Sequence, residues 1–360
     1  MYEDIISFQN LCKAWREFVV DKNRKDDVAE FTIKLSSNIS DLYRDLLYGN
    51  YAHGLYESFI INDPKTRIIH KATVRDRLLH HSIYRILYPI FDKRFIFDSY
   101  SCRDFKGTHK ALNRFRQFAR KVSKNHRRTC WVLKCDVRKC FASIDHEVLM
   151  RVLRRHTVDD ATLGLLWKII SSFSSGKVVG AVGGAGGFGK GLPLGNLTSQ
   201  LLVNIYLNEL DQFIKHELKQ RYYIRYADDF LVMHDDRGVL AGLLPKVRDF
   251  LQSELRLDLH PDKVSIETVS SGIDFLGWVH FPKYRVLRTT TKKRMFRNLL
   301  AKKAVIDSEG DSEKSEKYEA TLNSYLGMLS HGNSYKLGQQ IRLYNQLPGK
   351  SQMLWTNSCH

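Results

Sequence analysis

The stretch that most constrains this chain is Tyr222-Tyr223-Ile224-Arg225-Tyr226-Ala227-Asp228-Asp229-Phe230-Leu231-Val232-Met233. Aromatic and β-branched residues run up to two adjacent aspartates, and a second apolar run leaves them. That is the pattern of a β-hairpin with the carboxylates at or beside its turn. Two neighbouring anions repel each other, and Asp is unfavourable in a strand. A divalent cation shared with a third carboxylate gives a reason to keep them. Oxygen-only ligands suit Mg²⁺ or Mn²⁺, whose shell is completed by substrate phosphates and water. A solvated Asp-Asp turn is the plainer alternative, and the dipeptide alone does not separate the two.

A third carboxylate is available. Trp131-Val132-Leu133-Lys134-Cys135-Asp136-Val137 reads as an apolar strand ending in an acid, with Phe141 five residues on and Ser143-Ile144-Asp145-His146 after it. Asp145 is placed to cap a helix over 147–155.

Lys+Arg 57 against Asp+Glu 39 gives a net charge of +18, which implies an extended polyanionic partner or an acidic membrane surface. The location of the charge favours the polyanion. Residues 103–128 hold ten Lys or Arg against the single acid Asp104, and one-signed charge of this density suits a surface that tracks phosphates. Arg116, Arg120 and Lys124 represent it. A second block, 283–303, has nine basic residues and no acid, with Lys292, Lys293 and Arg297 at its centre. No apolar run is long enough to span a bilayer. The start, Met1-Tyr2-Glu3-Asp4, is acidic with no uninterrupted apolar core behind it, so no secretory leader is expected. Six cysteines without a C-x-x-C pair argue against structural zinc and fit a reducing cytoplasm.

Along the chain, residues 1–55 show helical spacing at Ile5, Phe8, Leu11, Trp15 and Phe18 and again at Leu42, Leu46 and Leu47, ended by Gly49-Asn50. Phe59-Ile60-Ile61 and Arg67-Ile68-Ile69 flank the break Asn62-Asp63-Pro64-Lys65, a hairpin whose tip offers Lys65 and Arg67 to phosphate oxygens. Residues 174–195 are glycine-rich without the βαβ frame of a dinucleotide site, and read as a mobile loop. A core-facing stripe at Val203, Leu207, Leu210, Ile214 and Leu218 predicts a helix before the Asp-Asp hairpin. The acidic, serine-bearing segment 307–319 reads as an exposed loop between helices.

Taken together these blocks resemble reverse transcriptases. Tyr226-Ala227-Asp228-Asp229 resembles their Tyr-x-Asp-Asp box, and Asp136 with Phe141 resembles polymerase motif A. Asp63-Pro64-Lys65, Arg67-Ile68-Ile69 and Asp76-Arg77-Leu78-Leu79-His80 resemble the fingers region. Leu257-Asp258-Leu259-His260-Pro261-Asp262-Lys263 resembles motif D, and Phe275-Leu276-Gly277-Trp278 resembles the primer-grip turn. The resemblance covers about residues 55–345. It implies an α+β right-hand polymerase: a helical N-terminal segment (1–55), fingers (56–130), a palm with a ferredoxin-like sheet (131–280) and a helical thumb with a tail (281–360). It implies two Mg²⁺ ions, or Mn²⁺, on Asp136, the adjacent Val137, Asp228 and Asp229. Lys263 would lie near the leaving pyrophosphate. Lys65, Arg67, Phe141, Leu194, Gly195 and Gln200 would meet the nucleotide, with Phe141 closing the space a 2′-hydroxyl needs. Tyr226, Ala227, Phe275, Leu276 and Gly277 would meet primer and template.

One block departs from the general pattern. Most reverse transcriptases carry Gln-Gly-x-x-x-Ser-Pro where this chain has Leu194-Gly195-Asn196-Leu197-Thr198-Ser199-Gln200. That form resembles the reverse transcriptases of diversity-generating retroelements, which copy a template RNA into cDNA mutated at adenines. The resemblance implies template RNA, a primer-template and dNTPs as partners, a small basic accessory variability protein, and a bacterial or phage-encoded cytoplasmic enzyme. A group II intron-like or defence-associated reverse transcriptase of ordinary fidelity is the alternative within the enzyme class. A catalytically idle RNA-binding palm is the alternative outside it.

Overall fold

The computed structural model describes residues 1–62, 66–156, 159–174, 189–309 and 312–346. Four helices open the chain: α1 (Tyr2–Ile6), α2 (Phe8–Phe18), α3 (Asp26–Ile33) and α4 (Leu35–Leu47). Ser7 caps α2 by accepting from the Asn10 N–H, and Leu11, Ala14, Trp15 and Phe18 form its buried stripe. Strands β1 (Glu57–Ile61) and β2 (Arg67–Lys71) pair antiparallel with Ile61 opposite Arg67. The tip residues 63–65, and with them Lys65, lie outside the described residues.

Next come α5 (Val74–Asp92), α6 (Thr108–Val122), β3 (Trp131–Asp136), the single turn α7 (Cys140–Ser143), α8 (His146–Arg155), α9 (Asp160–Ser171) and α10 (Leu197–Gln212). Most of the glycine-rich segment, 175–188, lies outside the described residues. The expected N-cap of α8 is present: Asp145 accepts from the N–H groups of Glu147 and Val148. Helix α10 has buried residues on every face, from Thr198 and Ser199 to Leu210 and Asp211, so it is a central helix rather than an amphipathic cover.

Strands β4 (Tyr223–Tyr226) and β5 (Asp229–His234) follow, then α11 (Arg237–Leu255), β6 (Ser265–Thr268), β7 (Ile273–Phe275), β8 (Trp278–His280) and β9 (Arg285–Leu287). The chain ends in α12 (Thr289–Glu309), α13 (Ser312–Leu329) and α14 (Tyr335–Gln346). One sheet has the strand order β4-β5-β3-β6 and another the order β7-β8-β9. Because β3 lies beside β5, the strand ending in Asp136 is next to the hairpin bearing Asp228 and Asp229.

The chain divides into two compact units. The first comprises Met1–Gly107, Leu133–Val232 and Gly238–Ser265; the second comprises Thr108–Val132, Met233–Arg237 and the chain from Ile266 onward. In the first, α5 packs on α2 and α10. In the second, α12 packs on α13, and Phe115 of α6 stacks on Phe275 with ring centroids 5.9 Å apart. Segment 307–319 corrects the sequence expectation. Its described residues are helical: α12 runs through Glu309 and α13 starts at Ser312, with 310 and 311 outside the described residues. Four Glu and two Lys in this stretch are strong helix formers, and their propensity outweighs the three serines that suggested a loop.

Candidate active site

The register of the β4–β5 hairpin pairs Tyr226 with Asp229, so Ala227 and Asp228 are its two turn residues. Ala227 has φ +53°, the left-handed conformation that a two-residue hairpin turn demands and that glycine normally supplies. Asp228 therefore stands at the tip and Asp229 at the first position of β5. The Val137 N–H donates to the Asp228 carbonyl at 3.1 Å, and the His260 N–H donates to the Asp136 carbonyl at 2.8 Å. These bonds tie three separate chain segments around one point.

The electrostatics of that point are those of crowded anions. Asp136 is 7% exposed. Burial, followed by the charge of Asp136, raises the pKa of Asp228. Burial, then Asp136 and Asp228, push Asp229 up to about 7. The Lys263 ammonium donates to Asp136 Oδ1 at 2.6 Å, and the positive charge of Arg67 acts on Asp228. Among the described residues no three His, Cys, Asp or Glu side chains stand in the close array of a formed metal site. The donor chemistry nevertheless fits a hard divalent cation. The charge of Asp136 raises both Asp228 and Asp229, and a cation among the three carboxylates would offset that repulsion. Lys263 now holds an oxygen that such a cation would use. The expected place of Lys263 was by a pyrophosphate; here its side chain, 38% exposed, is paired with Asp136.

Of the residues expected to meet a nucleotide, Arg67 lies on β2, and Leu194 and Gly195 lie against that strand. The His70 N–H donates to the Leu194 carbonyl at 2.9 Å, and Asn196 Nδ2 donates to the His70 carbonyl at 3.2 Å. Gly195 has φ +108°, and a Cβ there would meet Ile69 Cγ2 at 2.7 Å, so only glycine fits. Gln200 lies in the first turn of α10, half-buried. Phe141 lies in α7, half-buried, and its carbonyl accepts from the Leu192 N–H at 2.7 Å.

The remaining candidates belong to the second unit. Leu276 and Gly277 have φ +50° and +83° and form the tight turn between β7 and β8, after the buried Phe275. Arg116, Arg120 and Lys124 are exposed, and Arg120 donates to Asn125 Oδ1 at 2.7 Å. On the opposite face of α6, Phe115 and Phe118 are buried, so they are core residues and not stacking platforms. Lys293 and Arg297 are exposed and Lys292 is half-buried.

Sequence reasoning missed Arg225, Asp211 and Asn204. Arg225 is 0% exposed directly beneath the Asp-Asp turn. The available signal was an arginine at an inward position of an otherwise apolar strand. No described helix is long and apolar enough to cross a membrane.

The chain is similar to several known proteins. Over 340 residues it is 26% identical to protein YkfC of Escherichia coli strain K12, covering 85% of this chain and 84% of that one. Over 300 residues it is 23% identical to the group II intron-encoded protein LtrA of Lactococcus lactis subsp. cremoris, covering 65% of this chain and 47% of LtrA. Among solved structures, apo telomerase from Candida tropicalis aligns with a TM-score of 0.50 at 12% identity, over 85% of this chain and 62% of that one. Telomerase from Candida albicans in complex with a TWJ fragment of telomeric RNA gives 0.50 at 13% identity, over 79% and 56%. This chain thus spans about half the length of LtrA and some three-fifths of the telomerase chains. Residues 62–280 match the family pattern of the reverse transcriptase (RNA-dependent DNA polymerase), and that stretch contains Asp136, Asp228, Asp229 and Lys263. With that match over more than half its length, the chain belongs to the reverse transcriptase family and has its α+β polymerase fold.

Proposed function

We propose that the chain copies an RNA template into DNA with Asp136, Asp228 and Asp229 as its metal-binding carboxylates, and that it serves a diversity-generating retroelement. The observation that carries the first part is the meeting of these three acids, whose burial and mutual repulsion raise Asp228 and Asp229. Two bound Mg²⁺ ions, or Mn²⁺, would supply Lewis acidity to the primer 3′-hydroxyl and neutralise the triphosphate. Asp136 and Asp228 would hold both, with the Val137 backbone beside them and Asp229 assisting.

The other residues bind and orient. Lys65 and Arg67 would grip phosphate oxygens. Lys263 would release Asp136 and hold a proton for the pyrophosphate. Phe141 would exclude a 2′-hydroxyl. Tyr226, Ala227 and the turn Phe275-Leu276-Gly277 would meet primer and template, and the exposed bases of α6 and α12 would track their phosphates. Template RNA, primer-template, dNTPs and a small basic accessory protein are the partners of this reading.

The retroelement part rests on Leu194 and Gln200. A glutamine beside the incoming nucleotide can donate and accept hydrogen bonds that test its fit; leucine offers apolar contact only. Leu194 is fixed to β2 through His70, on the strand that begins with Arg67. A relaxation of about 1.4 kcal/mol in discrimination means tenfold more errors. The test is to sequence cDNA made from a defined RNA with the accessory protein supplied. Substitutions should fall mostly at template adenines, and Leu194→Gln should reduce them without loss of synthesis. Faithful copying, or errors spread evenly over four bases, would leave a group II intron-like polymerase of ordinary fidelity.

A further inference from the structure

Among the described residues Arg225 is the largest side chain to be fully buried. Its Nε and Nη2 donate to the two oxygens of Asp211 at 2.8 and 2.7 Å, a bidentate pair that is 0% exposed on both sides. Nη1 donates to Asn204 Oδ1 at 3.1 Å and to the Ala227 carbonyl at 3.2 Å. Asp211 also accepts from the Tyr223 hydroxyl at 2.7 Å, and Asn204 Nδ2 donates to the Ser101 carbonyl at 2.9 Å. The backbone of Arg225 is held as well: its N–H donates to the Asp98 carbonyl and its carbonyl accepts from the Tyr100 N–H, both at 3.0 Å.

A buried ion pair is a poor way to gain stability, because well-packed apolar residues often do as well or better. What such a pair does well is fix directions, since a planar fork accepts few geometries. Here the fork is anchored on Asn204 and Asp211, seven residues apart and therefore on one face of α10. Its free end meets the carbonyl of the Ala227–Asp228 peptide. That peptide lies in a turn whose Ala227 has φ +53°, a conformation that persists only where the surroundings over-determine it. Holding this carbonyl fixes the plane from which the Asp228 side chain departs. From the other side, the Val137 N–H holds the Asp228 carbonyl.

We infer that Arg225, locked by Asp211 and Asn204, is a positioning residue that aims the Asp228 carboxylate by fixing the Ala227–Asp228 peptide. This rests on the reading of Asp228 as a metal ligand. The partial alternative, that the cluster merely fills the core, predicts lost stability and nothing specific to the metal or the catalytic step.

The experiment uses the full chain and three variants: Asn204→Ala, Arg225→Lys, and the double Arg225→Met/Asp211→Leu, which replaces the pair with apolar groups. For each, the folded fraction, kcat and KM of primer extension, primer-template Kd, and Mn²⁺ binding without nucleic acid (from the EPR signal of free Mn²⁺) are measured. Per folded molecule, kcat should fall at least tenfold and Mn²⁺ affinity at least threefold, while KM for dNTP and primer-template Kd stay within twofold. The double variant should remain folded and still lose kcat. Folded variants with wild-type kcat and Mn²⁺ affinity would overturn the inference, as would a set in which no variant folds, since the pair would then be a folding element. If Asn204→Ala alone fails to fold, the other two decide by the same criteria. Should the wild-type chain extend no primer, the polymerase reading fails, while Mn²⁺ titration still scores the role of Arg225.

Discussion

Replacing Gly195 with alanine tests how tightly the Leu-Gly-Asn turn is pressed against β2. The glycine has φ +108°, and the added Cβ would lie 2.7 Å from Ile69 Cγ2. Two costs follow. An L side chain in a left-handed conformation costs about 1–2 kcal/mol. The overlap adds about 1–3 kcal/mol, because the methyl it meets sits on the β-carbon of a branched side chain and cannot swing aside. Their sum is about 2–5 kcal/mol if the backbone stays in place. If the turn lifts away instead, it loses the bonds from His70 N–H to the Leu194 carbonyl and from Asn196 Nδ2 to the His70 carbonyl, about 1 kcal/mol each. Both routes predict destabilisation of at least ~2 kcal/mol, a fall in Tm of roughly 3 °C or more for a chain of this length. Guanidinium unfolding and single-nucleotide extension are the assays. Adding Ile69→Ala should recover the overlap part and leave the backbone part, a coupling of about 1–3 kcal/mol. KM for dNTP should rise in Gly195→Ala, because Leu194 moves with the turn. A variant within 0.5 kcal/mol of wild type, with unchanged KM, would refute the close packing inferred here.

Other outcomes follow from the same geometry. Asp136→Ala or Asp228→Ala should abolish primer extension with Mg²⁺ while the melting temperature holds or rises, because removing one acid relieves the others; near wild-type extension by either would remove the metal assignment. Phe141→Ala should lower selectivity for dNTP over rNTP at least tenfold, about 1.4 kcal/mol, as measured by kcat/KM for each nucleotide. Unchanged selectivity in an active variant would make Phe141 a packing residue. RNA affinity should fall by ~10³–10⁵ between 50 and 200 mM salt if ~6–10 phosphates are contacted. Neutralising Arg116, Arg120 and Lys124 together should flatten that slope; an unaltered slope would move the binding face to Lys292, Lys293 and Arg297.

Local patterns carried much of this protein into view. The continuous aromatic and β-branched runs on either side of Ala227-Asp228 specify a hairpin, and the observed register puts both residues in its turn. The Asp145 cap, the Leu276-Gly277 turn and the break before β2 are equally local, set by residues within a few positions of one another. The acidic segment 307–319 misled because its serines suggested a loop, while the helix propensity of its Glu and Lys residues outweighed them. Phe115 and Phe118 are buried on α6, so they belong to the core of that unit.

Sequence by itself determined the three aspartates, their order and the hairpin, because a carboxylate at a strand end or turn is written in the residues beside it. Tertiary structure alone decided what surrounds them. The fork of Arg225 on Asp211 and Asn204, Lys263 on Asp136, and the Leu194 turn against His70 join residues 14 to 127 positions apart. No local pattern encodes such distances. They arise when packing α10 and the β4-β5-β3-β6 sheet brings distant segments together and buried polar groups such as Arg225 take the partners within reach.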